Sequence, residues 1–189
     1  MKKVIVIGAN SKATEGQCRS SFNIGYALAS KKYYVIHGGG TGTMRHTTLG
    51  MQNFNKEIGD RMNHIIWPNS MQKESDETIA VYDNIFKKEY VPTIHERIGR
   101  LIEESKTCNY LICYSGGLGS INEIYAILVA YYDRTSELCP VLICNTDASE
   151  FIDNMMRMLY SFDIPTRPYM RKMIDKIKIL SESELIAML

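Results

Sequence analysis

Short apolar runs alternate along the chain with stretches in which apolar residues return every three or four positions. Val4–Ile7, Tyr33–His37, Met62–Trp67, Asn109–Tyr114 and Pro140–Cys144 have the density of strands buried on both faces. Between them lie helical patterns. Glu15–Lys31 carries Cys18, Phe22, Ile24, Tyr26 and Leu28 as its expected buried side, and Met44–Asn55 follows the second run. Thr93–Ser105 places Ile94, Ile98, Leu101 and Ile102 on one face, and from Ser120 onward Ile121, Ile124, Leu128 and Tyr131 repeat at helical spacing. Ser149–Tyr160 reads as a further helix, Lys176–Leu180 as a short strand after a proline-bearing connection, and Glu182 opens a terminal helix. Ser70–Asp76 is polar and loop-like, Thr78–Tyr82 is the candidate fourth strand, and Ile85–Pro92 is left unassigned. Strands alternating with helices predict an α/β fold, a doubly wound parallel sheet with helices on both faces.

In such sheets ligands bind beyond the C-terminal strand ends, where the strand order reverses. Three glycine-bearing turns fall at those ends: Gly8–Ser11, Gly38–Thr43 and Ser115–Gly119. Their convergence points to a nucleotide or sugar-phosphate site, with Gly8, Asn10, Ser11, Gly38, Gly39, Gly40, Thr41, Ser115, Gly116, Gly117, Gly119 and Ser120 as candidate binding residues. Arg45 can reach a phosphate from the first helical turn after the second of these loops. Glu123 has two readings. It completes a Ser120-x-x-Glu123 capping box, or it is a carboxylate beside a phosphate cradle.

Other chemistries are excluded by their missing parts. Gly40-x-Gly42-x-x-Arg45 has arginine where a dinucleotide fingerprint needs its third glycine, and no acidic residue follows in the stretch NHIIWPN. No glycine loop continues into G-K-[ST], and no G-x-S-x-G elbow is present. The 189 residues suit one domain, 1–189, and a net charge of +1 gives no case for a nucleic-acid partner. No apolar run has the length of a membrane span. Five cysteines with no C-x-x-C pair suggest a reduced, cytoplasmic protein without a structural metal, and no cofactor is expected.

The loops GGGTGTM (Gly38–Met44) and SGGLGSINE (Ser115–Glu123) resemble the two signature loops of the LOG (Lonely Guy) family, often labelled lysine decarboxylase. That family's second loop reads P-G-G-x-G-T-x-x-E. Here Ser115 stands for the proline, Ser120 for the threonine, Asn122 for a common acidic residue and Arg45 for a usual glycine. The resemblance implies a Rossmann-like fold and a homodimer. It also implies a phosphoribohydrolase acting on a purine nucleoside 5′-monophosphate, with an N6-modified adenine as in cytokinin activation. It makes Glu123 and Arg100 the catalytic pair, Arg100 standing fifteen residues before Ser115. Arg97, one turn earlier, is the rival. Tyr125, Tyr131 and Tyr132 are candidate dimer contacts, since aromatics are enriched at interfaces. The alternative is a nucleotide-binding or sensing domain of the same fold without catalysis.

Overall fold

A computed structural model describes residues 1–10, 13–69, 80–131, 137–146, 149–161 and 168–189. Its strands are β1 (Lys3–Ile7), β2 (Tyr34–His37), β3 (Asn63–Pro68), β4 (Lys87–Val91), β5 (Tyr110–Cys113), β6 (Val141–Cys144) and β7 (Ile177–Leu180). Its helices are α1 (Glu15–Ser30), α2 (Thr43–Phe54), α3 (Lys56–Arg61), α4 (Ile94–Ser105), α5 (Leu118–Ala130), α6 (Ser149–Ser161), α7 (Pro168–Ile174) and α8 (Glu182–Met188). The sheet runs β4-β3-β2-β1-β5-β6-β7, and every pair in it is parallel. This is the Rossmann-like doubly wound fold that the alternation predicts.

The alternation of side chains along each strand divides the core. Ile5, Ile7, Ile36 and Ile66 point to one face, where Leu101 of α4, Ile124 and Leu128 of α5 and Met155 of α6 cover them. Val4, Val6, Val35 and Ile112 point to the other, under Ile24 and Leu28 of α1, Met51 of α2 and Leu185 of α8. The chain leaves β1 toward β2 and later crosses to β5 on the opposite side. The switch point is therefore the gap between β1 and β5.

Three elements differ from expectation. Ala80–Tyr82 forms a 3-10 turn, whereas the fourth strand is Lys87–Val91. That strand is a partly exposed sheet edge reading KKEYV, so no apolar run marks it. The expected loop at Ser70–Asp76 lies outside the described residues. On α1, Ile24 and Leu28 are buried, but Tyr26 is exposed and the remaining buried face is made of small residues such as Ser21, Gly25, Ala27 and Ala29. The cause is a close crossing with α2. A Cβ on Gly25 would overlap the Thr47 carbonyl, and one on Gly50 would overlap the Phe22 carbonyl. Helix α7 falls in the stretch expected to be a plain connection.

Candidate functional site

The three glycine turns are tied together by hydrogen bonds rather than merely neighbouring one another. Ala9 O accepts both the N–H and the hydroxyl of Thr43, at 3.0 and 3.2 Å. Asn10 Oδ1 accepts the Thr41 N–H at 2.5 Å and its hydroxyl at 2.7 Å. Gly8 O accepts the Ser120 hydroxyl at 2.8 Å. A side chain on Gly8 would strike Thr43 Oγ1 and Tyr114 Cβ, and one on Gly116 would strike Ser120. Gly39 sits at φ +73°, the left-handed region that glycine enters without steric cost. Tyr82 steadies the second turn from outside, donating its hydroxyl to Gly40 O at 2.6 Å. Ser11 lies outside the described residues.

Histidine 37 holds the second turn from beneath. Its Nδ1 accepts the Gly39 N–H at 3.1 Å, so the ring proton is on Nε2, which faces Thr48 Oγ1 at 3.0 Å. Burial pushes its pKa down to about 3, and the ring is neutral.

At the third turn the helix begins earlier than the periodicity predicts. Helix α5 starts at Leu118 with Gly117 as its N-cap, and no side chain caps it. The Ser120–Glu123 capping box therefore does not form, because Ser120 is turned to Gly8 and Glu123 elsewhere. Among the described residues, the N–H groups of Gly116, Gly117, Leu118, Gly119 and Ser120 have no protein acceptor. Gly117 and Gly119 have open space where a Cβ would stand, and Leu118 is 85% exposed. Free donors at the positive end of a 13-residue helix are a chemistry that suits an anion.

Glu123 is buried and pairs with Arg97 through Nη2. Burial raises its pKa above the ordinary glutamate value of 4.5, opposed by the charge and hydrogen bond of Arg97. Arg97 is itself buried, and its Nη1 is 3.0 Å from where a Cβ of Gly38 would lie. The ion pair thus touches the second glycine turn from the α4–α5 side of the sheet.

Arg100 is not in this pair. It donates to both carboxylate oxygens of Glu89, at 2.5 and 3.2 Å, and to Glu104 at 3.4 Å, with a third of its side chain in solvent. Its hydrogen bond holds the Glu89 carboxyl below its ordinary pKa. The reason is helical phase. Arg97 falls inside the stripe of Ile94, Ile98 and Leu101, whereas Arg100 falls at its edge toward β4. A charged residue within an apolar stripe is the signal that picks out Arg97, since such a group is buried only when paired. Arg45 lies in the first turn of α2 near Cys18, whose thiol pKa is raised by burial with the Arg45 charge opposing the rise. Two of the expected dimer aromatics make hydrogen bonds within the chain. Tyr131 meets Ser105 at 3.0 Å, Tyr125 donates to Met155 O at 3.1 Å, and Tyr132 lies outside the described residues. One residue that the sequence does not mark is Gln17 of α1, whose amide donates to Ser115 Oγ.

A family model matches residues 1–136, a span that holds all three glycine turns and the Arg97–Glu123 pair. The chain belongs to the SLOG cluster4 family. A search of curated proteins finds no match to it. Among solved structures, this SLOG chain is similar to the molybdenum cofactor binding protein of Rippkaea orientalis. The identity is 16% and the TM-score 0.65, covering 99% of this chain and 94% of that one. It is also similar to the molybdenum cofactor carrier protein of Chlamydomonas reinhardtii, at 16% identity and a TM-score of 0.63, covering 100% and 96%. DNA processing protein A of Helicobacter pylori, a single-stranded DNA binder, matches at 10% identity and a TM-score of 0.62, covering 99% and 79%. At these identities the likeness is one of fold. No helix among the described residues is long and apolar enough to cross a membrane, and none of their acidic, histidine or cysteine groups forms a metal-binding cluster.

Proposed function

We propose that this SLOG protein binds a purine nucleoside 5′-monophosphate in the crevice between β1 and β5 and hydrolyses its N-glycosidic bond. The observation that carries the reading is the buried Arg97–Glu123 pair, placed one helical turn below the free N–H groups of Gly116–Ser120. Those donors suit a 5′-phosphate, and a phosphate held there fixes the ribose relative to Glu123. Cleavage of the C1′–N bond builds positive charge on the ribose ring, which an adjacent carboxylate stabilises. Glu123 can also take the proton of the attacking water, while the base leaves with the electron pair of the broken bond and picks up a proton from solvent. The Arg97 guanidinium counters burial and orients the carboxylate. An N6-modified adenine, as in cytokinin nucleotides, is the base that the loop resemblance favours.

A second reading is favoured by the solved structures named for binding or carrying the molybdenum cofactor: the same crevice holds its ligand without chemistry. Incubation with AMP and with N6-isopentenyl-AMP, followed by chromatography for free base, separates the two. Release of adenine or isopentenyladenine supports the hydrolase. Thermal stabilisation by these nucleotides without release supports the binding protein.

A further inference from the structure

Gln17 stands in the first turn of α1 with both ends of its amide engaged. Its Oε1 accepts the Thr14 N–H at 3.0 Å, and the Thr14 hydroxyl accepts the Gln17 N–H at 3.2 Å, closing a capping box. With the oxygen held by that cap, only the NH2 end faces Ser115, and Nε2 donates to Ser115 Oγ. A flipped amide would point its NH2 at the Thr14 N–H, donor against donor, so the cap settles the orientation. Gln17 and Ser115 are 4% and 7% exposed, so solvent does not compete for either group.

A serine hydroxyl has one proton to donate. Because Ser115 Oγ is an acceptor toward Gln17, its own proton is left over, and no acceptor among the described residues takes it. Ser115 directly precedes the unpaired N–H groups of Gly116–Ser120. We propose that the Ser115 hydroxyl is a further donor to the anion bound at this turn, and that Gln17 is the positioning residue that keeps it a donor. The inference rests on the reading that the turn holds a phosphate. It adds that the site selects oxyanions whose oxygens only accept, such as a dianionic phosphate monoester.

The test is calorimetric titration of the full chain with AMP, inorganic phosphate and adenosine. Ser115→Ala is expected to weaken AMP and phosphate about tenfold, the scale of one hydrogen bond to a charged group, and to leave adenosine unchanged. Ser115→Thr, which keeps the hydroxyl, is expected to bind within about twofold of the parent, well under that one-bond scale. Gln17→Glu keeps the cap and the contact, but its carboxylate accepts the Ser115 proton, so phosphate binding falls as it does in Ser115→Ala. Combining Gln17→Glu with Ser115→Ala is expected to add no further loss. Losses that multiply in the double variant mean that Gln17→Glu acts only by its charge, and they overturn the positioning role. Ser115→Ala binding phosphate as the parent does overturns the donor, while the phosphate turn itself stands. A parent that binds neither phosphate nor AMP sinks the inference together with the reading beneath it. If Gln17→Glu fails to fold, the alanine and threonine variants at Ser115 still decide whether the hydroxyl donates.

Discussion

Two arginines three residues apart on α4 have opposite prospects. Arg97→Met is expected to lower base release by at least about a hundredfold, because the carboxylate that faces the developing charge loses its partner. Arg100→Gln is expected to stay within about twofold, since its partly buried pair with Glu89 lies apart from the Arg97–Glu123 pair. Rates of base release for the two variants check this. Glu123 must be ionised to act, so the acid limb of the rate profile is expected above its ordinary value of 4.5. His37 titrates with the other sign. Its folded pKa of about 3 lies below the ordinary 6.5, so its stabilising contribution is present above 6.5 and is lost as pH falls toward 3. Between pH 6.5 and 5 that loss is about 2 kcal/mol, and His64, also lowered by burial, adds in the same direction. Urea midpoints measured across that window should fall in the parent and fall less in His37→Gln.

Elements were legible in proportion to how uniformly they are buried. Strands β1, β2, β3, β5 and β6 are interior, and their apolar runs name them within a residue or two. The edge strand β4 faces solvent and carries no such run. Helix α5 starts two residues before its apolar repeat because Leu118, 85% exposed, stands outside that repeat, and an uncapped glycine start has no side-chain signature. The α1–α2 crossing was illegible for a related reason. Its contacts are backbone against glycine, and glycine carries no hydrophobic signal. Gly50→Ala is expected to cost about 3 kcal/mol through overlap with the Phe22 carbonyl, a drop of about 6–12 °C in melting temperature. Melting curves check that value.

At the scale of the whole molecule, the seven-stranded parallel sheet brings loops from residues 8, 38 and 115 to one edge, which the three glycine turns announced. What they could not announce is which helix face supplies the counter-charge to Glu123, because that depends on the phase of α4 against α5. A homodimer, which the loop resemblance implies, is expected to use α5, where Leu118 and Val129 are 85% and 67% exposed. Light scattering at micromolar concentration should give twice the chain mass, and a monomer would count against it. The pair also sets what a change at Glu123 costs in stability. Glu123→Gln keeps a hydrogen bond to Arg97 but removes the Glu123 charge from a buried ion pair, at about 3 kcal/mol. The most direct measurement of the central claim is base release from AMP by Glu123→Gln, with AMP affinity determined on the same folded sample. Turnover is predicted to fall by about two to three orders of magnitude while affinity stays within a few-fold. Wild-type turnover in Glu123→Gln would contradict the account.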